Sequence, residues 1–166
     1  IGGWFVYLSY ELIGQIESTL ASKLHKSKLP IAYAVQVPTA IIVDHKLDKT
    51  FIIDQDNNQS RINSILSDIK LLDKIPIQRI KGSQSEEVEN KFIDGVKSSL
   101  DYIVAGDVFQ VNLSRKWQYK LIETIDSAII YNALKKTNPA PFSALIQSEN
   151  FSLISSSPEM LFSFND

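Results

Sequence analysis

At Gly106 the hydrophobic period of this chain changes from 3.6 residues to 2, and that switch limits what the chain can fold into. Before it, Val88, Phe92, Val96, Leu100 and Ile103 recur at the spacing of one helical face. Ser83-x-x-Glu86 predicts a capping box at the start of that helix, and Gly106 stands where a left-handed residue ends a helix at least cost. After it, Phe109, Val111, Leu113, Trp117 and Tyr119 alternate with Gln110, Asn112, Ser114, Lys116, Gln118 and Lys120, broken only by Arg115. The alternation predicts a long strand with one apolar and one polar face.

The other segments read in the same way. Trp4 to Leu8 is a strand bounded by Gly2-Gly3, and Glu11 to Leu24 a helix on the spacing of Ile13, Ile16 and Leu20. Ala32 to Val37, Ala40 to Asp44 and Thr50 to Asp54 read as strands, the last two joined by a turn over His45 to Lys49. After the polar loop Asp54 to Gln59, Ser60 is the expected cap of a helix whose stripe is Ile62, Ile65, Leu66, Ile69 and Leu72. Pro76 to Gly82 is a connector. Asp126 to Lys136 is a helix stopped by Asn138-Pro139. Phe142 to Gln147, Phe151 to Ser155 and Met160 to Phe164 form a strand meander, with Ser148-Glu149-Asn150 as its first turn. Strands and helices in mixed runs predict an α+β fold with largely antiparallel sheets.

Composition narrows the function classes. With 44% apolar and 22% charged residues, the chain has the make-up of a soluble globular protein. A net charge of −2 gives no basic excess, which argues against nucleic acid as a partner. No apolar run approaches the roughly 20 residues needed to span a bilayer, so no membrane association is expected. The absence of cysteine excludes disulfides and thiolate chemistry and is compatible with the cytoplasm, the expected location. The chain opens with Ile1-Gly2-Gly3 directly before a strand, and both ends read as cut, so a piece of a longer protein is expected.

The candidate chemistry lies near the C-terminal end. In Ser155-Ser156-Ser157-Pro158-Glu159, proline fixes its own φ and pushes Ser157 towards an extended conformation. A carboxylate set directly after it is held on stiff backbone, which suits a general acid or base. On spacing alone, a Ser/Pro turn with a solvent-exposed glutamate is the commoner arrangement. Likewise, an aromatic beside a proline, as in Pro141-Phe142-Ser143, is more often core than binding site. His25 and His45 lack a second ligand at metal spacing, and Gly82 and Gly106 belong to no phosphate-binding pattern. Lys116, Lys120, Lys135 and Lys136 read as a solvated face.

Three motifs in order resemble the chorismate-utilising enzymes, most closely their aminodeoxychorismate synthase component I branch. They are Gly2-Gly3 with Tyr7-Leu8-Ser9-Tyr10-Glu11-Leu12, Ala105 to Ser114, and Asn138 to Ser143 followed by Ser155 to Glu159. Asn112, Leu113 and Ala140-Pro141-Phe142-Ser143 lean towards that branch, whereas Val6 stands where its pattern usually has glycine. The resemblance implies a partial two-layer β-sandwich with flanking helices, similar to anthranilate synthase component I. Residues 1–82 would be its N-terminal region and residues 83–166 the start of its chorismate-binding region.

It also implies an activity: exchange of the C4 hydroxyl of chorismate for an amino group, with ammonia from a glutamine amidotransferase partner and with Mg²⁺. Glu159 would be the catalytic, proton-handling residue. Pro141, Phe142 and Ser143 would form part of a tryptophan-type pocket whose other half lies before Ile1, so weak binding is expected. The branch's ring-adding lysine and its metal carboxylates fall after the last residue given, and Lys81-Gly82 lies on the wrong side of Glu159 to replace that lysine. The 166-residue chain alone is therefore expected to be inactive. The alternatives are anthranilate synthase component I and a non-catalytic module that binds tryptophan or a partner.

Overall fold

The computed structural model describes residues 3–23 and 29–164. His25, Leu24 and their neighbours lie outside the described residues. The chain divides into two compact units, Ile1–Lys74 and Ile75–Asp166. Among the described residues the strands pair as four separate two-stranded sheets, all antiparallel. With the helices between them they make the expected α+β composition.

In the first unit, β1 (Gly3–Leu8) pairs with β2 (Ala32–Val37), from Gly3 opposite Val37 to Leu8 opposite Ala32. Tyr7 and Tyr33 face each other in this register and stack with ring centroids 5.4 Å apart, a cross-strand contact that favours the pairing. The helix expected over Glu11 to Leu24 is instead broken into short pieces: 3₁₀ turns at Tyr10–Leu12 and Ser18–Lys23 flank the four-residue α1 (Ile13–Ile16). Glu17 is extended, and its Oε1 accepts from Thr19 Oγ1 at 2.8 Å, so a local side-chain bond competes with helix continuation at this point.

Next, β3 (Thr39–Asp44) pairs with β4 (Lys49–Asp54). Asp44 Oδ1 accepts from the amides of Lys46 and Leu47 and so folds the connecting turn. At the other end of this hairpin Asp54 organises the entry to α2 (Gln59–Lys70). It accepts from Thr39 Oγ1 at 2.6 Å, from the Asn58 amide at 2.7 Å, and from Arg61 Nε and Nη2 at 2.7 and 3.0 Å. Arg61 Nη2 also donates to Asp56 at 2.7 Å. The cap of α2 is Asn58, whose side chain accepts from the amides of Ser60 and Arg61, rather than the expected Ser60. Asn tolerates the turn geometry here and is at least as good a cap as serine.

In the second unit, β5 (Gly82–Glu86) pairs with β6 (Trp117–Leu121) and precedes α3 (Glu89–Ala105). The expected capping box at Ser83 and Glu86 does not form, because both residues lie in β5, opposite Lys120 and Trp117. Glu86 instead accepts from the indole Nε1 of Trp117 at 2.9 Å and from Arg115 at 3.1 Å. A Cβ on Gly82 would meet the carbonyl oxygen and ring of the facing strand at 2.4 Å, so no larger residue fits that register. Gly106 ends α3 with φ 82°, as expected. The long strand after it is only partly present: residues 108–115 have no strand partner among the described residues, and the ladder covers Trp117–Leu121 alone. Alternation provides two faces, but a strand also needs a neighbour for its main-chain groups.

Finally, α4 (Ser127–Thr137) is capped by Asp126 and leads into the hairpin of β7 (Phe142–Gln147) and β8 (Ser152–Ser157). The Ser148 amide donates to the Phe151 carbonyl at 2.9 Å and closes the expected turn. β8 runs two residues beyond the expected Ser155, and the third strand expected over Met160 to Phe164 is absent.

Hydrogen bonds from Arg61, then Thr39, then the Asn58 amide hold the Asp54 carboxyl well below the usual carboxylate range. With its folded pKa depressed, Asp54 stabilises the unit above the unfolded value of about 3.9, and this contribution is lost as pH falls through the lower folded value. Arg61→Ala should speed hydrogen exchange of the α2 amides on the order of tenfold, since it removes two charge-assisted bonds to Asp54 and a third to Asp56, and leave β5 to β8 unchanged. In the parent chain, the extra protection of α2 should persist down to about pH 4 and fade only below it. Equal exchange in parent and variant at pH 7 would show that Asp54 does not hold the helix.

Candidate functional site

The β7–β8 hairpin and the residues that flank it carry every candidate residue. α4 stops because Asn138, whose amide bonds to the Leu134 carbonyl at 2.8 Å, is followed by proline and has left helical geometry. The loop Asn138-Pro139-Ala140-Pro141 then feeds β7. Phe142 opposes Ser157 and Ser143 opposes Ser156. Pro141, Phe142 and Ser143 therefore sit at the open end of the hairpin, where β8 leaves through Pro158 to Glu159.

Glu159 is exposed, after the strand rather than between two strands. Ser157 Oγ donates to the Glu159 carbonyl at 3.3 Å, across the proline. Phe142 is 41% exposed and Pro141 is exposed, while Ser143 is half-buried and donates its hydroxyl to the Ala140 carbonyl at 2.8 Å. Ser156 was not singled out in the sequence, yet its hydroxyl donates to the Asn138 carbonyl. Its place opposite Ser143 comes from the ladder register, so the sequence alone held no signal for it.

Two hollows lie elsewhere. An apolar one of about 390 Å³ in the first unit is lined by Gly3, Trp4, Phe5, Val37, Ala40, Ile42 and Ile53. A polar one of about 240 Å³ in the second is lined by Ser85, Glu86, Glu87, Lys116 and Gln118. The Lys91 ammonium beside Glu87 holds its carboxyl below the ordinary value. Arg115, the residue that interrupts the apolar alternation, lies 5.0 Å from the centre of the Trp117 ring while it bonds Glu86.

Among the described residues no group of three or more Asp, Glu or His side chains is placed to hold a metal ion. Likewise, no described helix is long and apolar enough to cross a membrane.

Comparison with known proteins agrees with the motifs. Residues 2–166 match the model of a family described as chorismate binding enzyme. The aminodeoxychorismate synthase component 1 of Bacillus subtilis is 28% identical over 98% of this chain and 37% of its own length. The anthranilate synthase component 1 of Saccharolobus solfataricus is 30% identical over 99% of this chain and 36% of its own length. An anthranilate synthase component I-like protein of Synechocystis is 27% identical over 96% and 33%. The chain thus spans about a third of the length of these curated relatives. The crystal structure of anthranilate synthase component I from Streptococcus pneumoniae superposes with a TM-score of 0.74 at 20% identity, over 95% of this chain and 39% of that one. At that identity the likeness establishes the fold, and the fold is the one expected.

With the Ser143 hydroxyl already used within its own loop and Phe142 open to solvent, this segment offers little enclosure to an indole ring. Calorimetric titration of the chain with tryptophan at micromolar concentration should give no saturable heat. Saturable heat that disappears in Phe142→Ala would instead establish a pocket at Pro141 to Ser143.

Proposed function

Because the chain belongs to the chorismate binding enzyme family, we propose that it is part of an aminodeoxychorismate synthase component I, in which Glu159 supplies the proton to the departing hydroxyl. The match of the family model to residues 2–166 supports the chorismate-using part of this reading. In the reaction, the C4 hydroxyl of chorismate is exchanged for an amino group derived from ammonia, which a glutamine amidotransferase partner supplies. Hydroxide is a poor leaving group, since water has a pKa of about 15.7, so the oxygen must gain a proton as its bond to carbon breaks. Glu159, set after a proline bend, can give that proton so that water leaves as the C–O bond breaks; ammonia's nitrogen then forms the C–N bond, and the Glu159 carboxylate can take back the extra proton that nitrogen carries. The product feeds folate synthesis. Mg²⁺ dependence belongs to the same proposal, with ligands outside the described residues, and the cysteine-free sequence suits the cytoplasm as the site of action.

The finer assignment is supported by Asn112, Leu113 and Ala140-Pro141-Phe142-Ser143, which lean towards the aminodeoxychorismate branch. Relatives named for anthranilate synthesis at similar identity favour a second reading, conversion of chorismate to anthranilate.

Incubating the intact gene product with chorismate and an ammonium salt separates the two. The expected product is not fluorescent and yields 4-aminobenzoate only when a lyase is added; direct appearance of fluorescent anthranilate would select the second reading. Glu159→Gln should lower kcat by roughly 10²–10⁴-fold, the usual contribution of a positioned acid. Full activity in that variant would remove Glu159 from the mechanism. The purified 166-residue chain should show no turnover.

A further inference from the structure

We propose that Ser143 and Ser156 are positioning residues for Glu159, their two hydroxyls clamping the open end of the β7–β8 hairpin to the loop that leaves α4. The inference rests on the proposed role of Glu159 and adds the device that aims it. Ser143 and Ser156 are directly opposed in the ladder, so their side chains share one face of the hairpin. Both hydroxyls are donated to main-chain carbonyls of the same loop, Ser143 to Ala140 at 2.8 Å and Ser156 to Asn138. The Ser143 amide also reaches the Ala140 carbonyl, at 3.3 Å.

The loop is a suitable reference. Pro139 and Pro141 fix two of its φ angles, and Asn138 is tied to α4 through the Leu134 carbonyl. The far end of the hairpin is tied to the other end of the same helix. Gln147 Nε2 donates to Ser127 Oγ at 2.8 Å, and Ser152 Oγ lies 3.1 Å from that hydroxyl. The hairpin is thus pinned to α4 at both ends, and Ser143 and Ser156 are the pins at the end from which β8 leaves for Glu159.

Little flexibility separates Ser156 from Glu159. Of the two intervening residues, Pro158 has a fixed φ and Ser157, preceding it, is restricted to extended geometry. Ser157, on the opposite face of β8, adds its bond to the Glu159 carbonyl. A shift of Ser156 is therefore passed to the Glu159 backbone instead of being absorbed. Loss of the clamp should harm proton transfer and leave substrate binding intact.

The test is a double-mutant cycle in the intact enzyme. Ser156→Ala should lower kcat roughly 10- to 100-fold, the cost of a displacement of about 1 Å at a reacting group, without changing the chorismate KM. Ser156→Thr, which keeps the hydroxyl, should retain most of the activity. In the Glu159→Gln background, Ser156→Ala should cause no further loss, because the two residues act as one unit. An unchanged kcat in Ser156→Ala, or the same loss in both backgrounds, overturns the clamp while leaving the role of Glu159 standing. Full activity of Glu159→Gln alone overturns both. Should Ser156→Ala fail to fold, Ser143→Ala removes the other hydroxyl and is judged by the same cycle.

Discussion

Each described strand has a single ladder partner, so its remaining main-chain groups and most of its side chains meet no further sheet neighbour. No described residue is buried as a whole, so packing holds the hairpins only in part, as where half-buried residues of α4 meet β7 and β8. Their ends are also located by side chains that bond the main chain or one another. In the first unit Asp54, whose side chain is 0% exposed, gathers β3, β4 and α2 through one carboxylate. In the second, serine hydroxyls do the corresponding work between α4 and the β7–β8 hairpin. The two devices differ in strength: the first is charged and bidentate, the second neutral and spread over several weaker bonds.

That difference has a functional reading. An acid in a displacement reaction must stay within hydrogen-bond reach of its proton, and reach is a matter of backbone placement as much as of side-chain chemistry. Glu159 takes its placement from Pro158, the end of β8 and the loop at Asn138 to Pro141. The three segments that resemble the family's motifs are therefore not equivalent. The last one carries the carboxylate and its supports together, while the segment after Gly106 presents polar side chains from an irregular stretch.

Much of this was legible beforehand, for identifiable reasons. Six strands and three helices were recovered because their signals were redundant: period, flanking turn residues and stop residues agreed, as for α4 between Asp126 and Asn138-Pro139. Where a single pattern stood alone, it misled. Ser83-x-x-Glu86 has the spacing of a capping box, but in a strand the same residues face Lys120 and Trp117. Ile13, Ile16 and Leu20 have helical spacing, but the Glu17 side chain turns to Thr19 and the helix breaks. In the candidate site, Glu159 and Pro141 to Ser143 stood out only through the family resemblance, since their local patterns read more simply as turn and core. Ser156 did not, because its role depends on which residue lies across the ladder, and register is not written locally.

The stretch from Val108 to Arg115 has the alternating pattern of a strand without a strand beside it among the described residues. Phe109 stands 93% exposed at its start, and β6 continues directly from its end. With no ladder partner among the described residues its main chain is irregular, and the alternation alone does not decide which of its two rows of side chains turns inward. Conformation along these residues is thus set by what lies beside them as much as by their own order.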